Sequence, residues 1–340
     1  MRPPLTRNPL PAESPRTGPA ADWPLPLAGP SAAAERARAA FAEALQIAAP
    51  VLIAADAGLD PDAVARAIHE RTRPGTPFVV LDCGATDAAA LELDLFGAAP
   101  RGGAQVDVDH VAASSAMLRA RSGTLYLKNI VELPAAAQRR LARIVRDREV
   151  AAGRRRVAIR SRVIAHAPAS ISAEVREGHF RSDLFRRLSQ VSIAIAGLRD
   201  RAEDIPELAA RVTSELTGGQ GPTFTQAALT VLAAPRWTGN LDELRRVLDK
   251  VLRAVPSGAV RQEDVLAQLP IDGAFSRIAP DVSLREARRQ FEREYIASVL
   301  ERHRWRMSDA ARTLGIERAN LYRKTRQLGI TRRAGAPVAS

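Results

Sequence analysis

The chain has 340 residues, 46% hydrophobic and 26% charged, which gives room for about two domains with buried cores plus tails. No apolar run approaches the ~20 residues of a membrane span, and the opening MRPPLTRNPLPAESPRTGP lacks the apolar core of a secretory signal. Net charge +12 and a pI near 11.0 point to a polyanionic partner. The five scattered histidines, with no HxxxH or CxxC spacing, argue against a zinc site, so no metal ligands are expected.

Residues 1 to about 32 hold nine of the 23 prolines, interleaved with Ala, Gly and Ser. That composition predicts a disordered arm, too short to be a folded sensor or receiver domain. The stretch 33–48 has helix composition. Two short apolar, β-rich runs follow, VLIAAD and FVVLDC, separated by a helical stretch at 62–71. Cys83 lies in the second run and reads as a small buried thiol. As the only cysteine it allows no intrachain disulfide, which suits a reducing cytoplasm. TLYLKNI and RVIAHA are further runs of the same kind, each followed by a helical stretch. Strand alternating with helix predicts an α/β fold, a parallel sheet with helices on both faces, over 33–198. From 199 to 269 the pattern is purely helical, as a small helical subdomain would be. PIDGAFSRIAPDV, about 270–282, reads as a linker. A helical segment with Leu284, Ala287, Phe291, Tyr295 and Val299 on one face then opens a C-terminal all-α domain over 283–330, leaving 331–340 as a tail.

Charge concentrates in that last domain. Residues 301–333 carry ten Lys or Arg against three acidic residues, a density that favours a phosphate-facing surface over a merely solvated helix. Within it, RMSDAARTLGIERANLYRKTRQLGI divides into two helices around a tight turn. Ser308 is placed to cap the first, which turns Ala310, Ala311 and Leu314 inward. Gly315 permits the turn, and Ile316 plugs between the helices. The second helix, about 318–328, buries Leu321 and Leu328 and presents Arg318, Asn320, Tyr322, Arg323 and Arg326, with Lys324 and Ser308 grouped with them as DNA-binding. Arg pairs bidentately with guanine and Asn with adenine, so this helix suits the major groove of double-stranded DNA. A protein-binding helical hairpin is the alternative. The segment resembles the Fis-type helix-turn-helix, which implies that Arg318, Asn320 and Arg323 face the bases. The same resemblance implies that the preceding helix, about 291–300, forms a dimer contact.

The segments VLIAADAG, DLFG, SGTLYLKNIVELPAAAQRRLARIV, EGHFRSDLFRRLSQVSIAIAGLRDRAEDIPELA and RWTGNLDELRRVL follow one another over 35–269. They resemble the AAA+ domain of sigma-54-dependent activators, in the order that family carries them. The resemblance implies a P-loop fold with a helical lid, yet the chain departs from it at nearly every position that handles ATP. The phosphate loop becomes AADAGLDPDAV, in which only Gly58 survives and Pro61 stands in place of the lysine. Proline brings neither the charge nor an N–H for phosphate. The three lysines of the chain are Lys128, Lys250 and Lys324, and none follows a glycine-rich loop. The Walker B acids fall at Lys128 and Asn129, which puts a cation where magnesium must sit. The first sensor falls at Ala167 and Pro168, and the second sensor's arginine at Asp242. Only the trans-acting arginines are matched, by Arg181 and Arg187, residues that salt bridges alone could also retain. Where the family carries the GAFTGA loop that touches sigma-54, this chain reads AAPRGGAQVDVDH.

The expectation is therefore a cytoplasmic, nucleoid-associated DNA-binding regulator with an AAA+-like scaffold, no catalytic residues and no ATP or magnesium cofactor. Its expected partners are double-stranded DNA, further copies of itself and RNA polymerase, without a membrane. Two alternatives stay open: an active sigma-54-dependent ATPase, and a subunit that joins an active paralogue's ring and lends Arg181 or Arg187.

Overall fold

The computed structural model describes residues 23–85, 87–97, 109–269, 292–293, 295–297, 299–300, 307–314 and 318–330. Most of the expected arm, the expected linker and tail, and the stretch 98–108, expected to depart from the sigma-contacting loop, lie outside the described residues. The chain divides into two compact units. The first comprises Glu35–Ala54 and Pro61–Ile195 with the stretch up to Ala28, and the second comprises Gly29–Ala34, Ala55–Asp60 and the residues from Ala196 onward.

The first unit is built on five parallel-sheet strands: β1 (Val51–Ala55), β2 (Phe78–Asp82), β3 (Thr124–Lys128), β6 (Arg162–Ala167) and β7 (Val191–Ile195). Their order across the sheet is β2-β3-β6-β1-β7. Between β3 and β6 runs an antiparallel hairpin of β4 (Glu149–Ala152) and β5 (Arg155–Ala158). Burial follows position in the sheet. The central strands β3, β6 and β1 are almost wholly buried, whereas the edge strand β2 exposes Val80 and the opposite edge strand β7 alternates buried and exposed. That alternation explains why VSIAI escapes a search for continuous apolar runs.

The helices α1 (Ala32–Gln46), α2 (Pro61–Thr72), α3 (Ala88–Phe96), α4 (Ala116–Arg119), α5 (Ala135–Asp147), α6 (Ile171–Arg176) and α7 (Ser182–Leu188) connect these strands. In α5, Ala137, Leu141 and Ile144 recur at helical spacing and are all buried, so one stripe faces the core while arginines cover the other side. Asp87 caps α3 by accepting from the N–H groups of Ala89 and Ala90. Cys83 is buried as expected, and burial pushes its thiol up to about 12.

The expected arm is too long by its last residues. Leu25–Leu27 form a buried 3-10 turn, the Trp23 ring meets Phe41 edge-on at 5.8 Å, and an Arg38 Nη1 donates to the Leu27 carbonyl at 2.9 Å. Three apolar side chains and a satisfied carbonyl outweigh the proline content there.

The second unit contains α8 (Ile205–Thr217), α9 (Gln226–Leu232), α10 (Asn240–Ala254) and α11 (Gln262–Leu266). The stretch is not purely helical, because β8 (Thr223–Phe224) and β9 (Ala259–Val260) pair in parallel. In α10, Leu241, Leu244, Val247, Leu248, Val251 and Leu252 form the buried stripe. The C-terminal part of this unit has helical residues at 292–293, 295–297 and 299–300, then helices Met307–Thr313 and Arg318–Gln327.

Candidate functional site

The C-terminal helices share a core of Ile296, Val299, Leu300, Ala310, Ala311, Leu321 and Leu328. Leu321, Thr325 and Leu328 recur on one side of the helix Arg318–Gln327, so burial fixes which side faces outward. That outward side exposes Arg318, Tyr322, Arg323 and Arg326, with Asn320 half-buried. The Arg318 guanidinium lies 5.7 Å from the centre of the Tyr322 ring, and Arg323 Nη2 donates to Asn320 Oδ1 at 3.1 Å. These two contacts tie the four side chains into an exposed polar strip one to two turns long.

One expected DNA-facing residue has a partner within the module, and the expected cap needs correction. Lys324 is half-buried, and its Nζ lies 3.0 Å from Glu292 Oε2, so it spends its charge on the preceding helical segment. Ser308 lies inside the helix Met307–Thr313 rather than ahead of it, so it is not the residue before the first turn. Gly315, Ile316 and Phe291 lie outside the described residues. Ile296, Val299 and Leu300, from the segment expected to pair two copies, are buried in the module's own core.

In the first unit, the parallel register brings the carboxyl ends of the strands to one edge, with Asp82 beside Lys128 and Ala54 beside Ala167. Ligands in open α/β sheets bind outside that edge. Pro61 is the first residue of α2, where its missing N–H costs the helix nothing. Asp62 follows it. Lys128 Nζ lies 2.8 Å from Asp62 Oδ2, and the Tyr126 hydroxyl donates to Asp62 Oδ1 at 2.9 Å. Asn129 takes a left-handed conformation after β3, and its Nδ2 donates to Asp82 Oδ1 at 2.9 Å. Lys128 and Asn129, the expected Walker B positions, are therefore both engaged with carboxylates of the same edge. Asp62, Tyr126 and Asp82 went unread in the sequence, although Asp62 sits directly after Pro61.

In the second unit, Gly58 and Asp242 do come together. The Asp242 N–H donates to the Gly58 carbonyl at 3.2 Å, and Asn240 Nδ2 donates to the Ala57 carbonyl at 2.8 Å. Gly58 has φ +76°, and a Cβ there would lie 2.3 Å from the Gly239 carbonyl oxygen. Gly58 is thus required by packing against the 239–242 turn.

Of the two matched arginines, Arg181 is exposed and pairs side-on with Asp183 at 3.0 and 2.9 Å. The Arg181 hydrogen bonds hold the Asp183 carboxyl below the usual carboxylate range. Arg187 is half-buried and lines a cavity described below. Among the described residues no group of His, Cys, Asp and Glu is arranged to hold a metal ion, and no helix is long and apolar enough to cross a membrane.

The fold and these two sites define a class: an AAA+ α/β core with a helical lid, carrying a helix-turn-helix. Family models agree along the chain. The sigma-54 interaction domain matches residues 27–194, the AAA+ ATPase lid domain 199–273, and the Fis family of bacterial regulatory proteins 287–328. The chain belongs to the family of sigma-54-dependent regulators. It is 32% identical to the response regulator protein PilR of Pseudomonas aeruginosa over 293 residues, which is 83% of this chain and 65% of PilR. It is also 32% identical to the nitrogen assimilation regulatory protein NtrX of Azorhizobium caulinodans, over 82% of this chain and 64% of NtrX. The chain thus spans slightly less than two thirds of the length of these relatives. Among solved structures it resembles NtrX from Brucella abortus in complex with ATP, with TM-score 0.67 and 28% identity over 89% of this chain and 69% of that one. The complex of the same protein with ADP gives TM-score 0.66 and 29% identity over the same shares.

Proposed function

We propose that this chain is a cytoplasmic DNA-binding transcriptional regulator that uses its AAA+ domain as a scaffold and does not hydrolyse ATP. The helix Arg318–Gln327 enters the major groove of double-stranded DNA, with Arg318, Asn320 and Arg323 reading base edges and Arg326 anchoring phosphate. Copies of the chain pair through the C-terminal domain, and RNA polymerase is the further partner. The observation that carries the scaffold reading is the ion pair of Lys128 with Asp62, next to Pro61. A magnesium nucleotide needs a cationic lysine and backbone N–H groups around its phosphates and carboxylates around its metal. This chain has a proline at the first position and a lysine and an asparagine at the second, so the residues present do not fit that group.

A second reading is an active ATPase. It is favoured by the nucleotide complexes of NtrX from Brucella abortus, a protein 28–29% identical to this chain. A subunit that lends Arg181 or Arg187 to an active paralogue is a third. Calorimetric titration with magnesium ATP and a phosphate-release assay decide among them. The scaffold reading expects no binding at millimolar ATP and no turnover. Turnover that disappears in an Arg181→Ala protein overturns it, and ATPase stimulation on mixing with a paralogue moves the assignment to the mixed ring.

A further inference from the structure

The opposite, amino-terminal edge of the sheet holds a cavity of about 370 Å³ that the scaffold reading does not use, and of its lining only Arg187 enters the mixed-ring reading. It lies where Pro50 leads into β1, Ser161 leads into β6 and Gln190 leads into β7, closed on the sides by the ends of α5 and α7. Four arginines line it, Arg146, Arg148, Arg162 and Arg187, and no carboxylate does. Arg146 is already held side-on by Asp147, at 2.6 and 2.9 Å. Asp147 is the acidic group near this rim, and its carboxyl is held low first by Arg146 and also by Arg187. The guanidiniums of Arg148 and Arg187 make no hydrogen bond or ion pair with a described residue.

Arg162 is 2% exposed, and it donates to the carbonyls of Ala44, Ile47 and Ala49 at 2.7–2.8 Å, which fixes a cation in the wall. Burial, then the charge of Arg73, pushes Arg162 down to about 10. Burial, then the charge of Arg148, lowers Arg73. Burial and like charge thus both work against the Arg162 guanidinium, and no carboxylate lines the cavity wall to offset them, a cost that a bound anion reduces. Ser161 adds a second sign. It is buried in the same wall, and its hydroxyl has no hydrogen-bond partner among the described residues. Apart from Gln190, the rest of the wall is apolar, with Ile144, Ile159 and Val163.

The geometry points to a binding site in this cavity for a small phosphorylated molecule, a phosphate ester or pyrophosphate, held by Arg148, Arg162 and Arg187. Guanidiniums pair with phosphate oxygens through two parallel hydrogen bonds, which Arg148 and Arg187 can supply, while Arg162, with Nε and Nη2 committed to carbonyls, adds its charge and Nη1. The volume lies at the small end of small-molecule sites, which run roughly 300–1,000 Å³, and it is too small for a nucleic-acid backbone. The apolar wall gives the body of an ester a surface to rest on. The site is remote from the carboxyl edge of the same sheet, so it stands whether or not ATP binds there.

Calorimetry on the full chain at constant ionic strength tests it, with pyrophosphate, glucose 6-phosphate and glucose as probes. The expected result is saturable binding of at least one phosphorylated probe below 1 mM and none of glucose. The stronger of the two shows whether the headgroup comes free or on an organic body. The Arg148→Gln/Arg187→Gln double variant is expected to lose at least tenfold in affinity, while Arg323→Ala retains it. Loss in Arg323→Ala with retention in the double variant places the anion on the recognition helix and overturns the inference, as does the lack of saturable binding by either probe. Should the double variant fail to fold, phenylglyoxal labelling of the unaltered protein supplies a second readout. Pyrophosphate is expected to protect Arg148 and Arg187 from modification, and equal labelling with and without it overturns the site.

Discussion

The helix Arg318–Gln327 and the carboxyl edge of the sheet both carry charged side chains, and they dispose of them in opposite ways. On the helix, Arg318, Arg323 and Arg326 are exposed, and among the described residues their contacts are with an aromatic ring and an amide at most. At the sheet edge, Lys128 and Asn129 are engaged with Asp62 and Asp82. Guanidiniums without anionic partners are available to an incoming polyanion, whereas a lysine closed onto a carboxylate of its own chain must first give that contact up. Charge alone therefore distinguishes nothing, and what a basic residue is already touching decides what it can do. Lys324 makes the point within one helix, since it sits among the exposed arginines and is the one drawn back onto Glu292.

The largest expected effect tests whether the loop at Gly58 is held by the 239–242 turn. Gly58→Ala forces a left-handed conformation on a residue with a Cβ and drives that atom to 2.3 Å from the Gly239 carbonyl oxygen. Strain and overlap together predict a loss of about 2–4 kcal/mol of stability without any nucleotide present. Urea denaturation of the two proteins measures it. If Gly58→Ala is neutral, the loop is free of the 239–242 turn in solution and the glycine reflects an older role in wrapping phosphate.

On the recognition helix the comparison sharpens into base reading against anchoring. Arg318 lies in the first turn of Arg318–Gln327, the part that enters the groove deepest in helix-turn-helix docking. Arg318→Ala is expected to cost about 1–3 kcal/mol at the cognate site and to flatten the preference among sequences. Isotherms on cognate and scrambled duplexes read this directly, and full discrimination retained in Arg318→Ala would mean that the helix docks another way.

What could be read in the sequence follows from how local each signal is. The strands β1, β2, β3 and β6 are short runs rich in apolar residues, and the buried triplet Leu321, Thr325 and Leu328 is a helical period written in a dozen letters. Both can be recognised from neighbours in the chain. β7 buries only every second residue, and the β4–β5 hairpin opens its second strand with the exposed Arg155 and Arg156, so neither presents a continuous apolar run. The Lys324–Glu292 pair spans 32 residues and the Asp62–Lys128 pair 66, and no periodicity encodes such partners. The arginines of the cavity arrive from α5 and the residue that ends it, the start of β6 and α7, and gather only once the sheet is built. Sequence pattern gave the outward and inward sides of the recognition helix, then, but not which of its cations is already spoken for.

The smallest effect asks about that last distinction. Each phosphate contact made by a lysine or arginine releases about one counterion from DNA, so losing one such contact lowers the slope of log K against log salt by roughly 0.9. Arg326 is exposed near the end of the helix, and Arg326→Ala should weaken cognate and scrambled DNA alike and lower the slope by about one unit. Lys324, two residues earlier, is 32% exposed and closed onto Glu292 at 3.0 Å. Lys324→Ala should leave the slope almost unchanged, because the charge it removes was already countered by a carboxylate. Removing the partner gives the reciprocal measurement: Glu292→Gln frees the ammonium, and the slope should then rise toward one extra unit. An exposed or half-exposed pair of this kind is worth less than about 1 kcal/mol to folding, so neither variant should melt measurably differently from the parent. If Lys324→Ala instead lowers the slope as much as Arg326→Ala, the ion pair opens on DNA and Lys324 joins the phosphate-facing set after all.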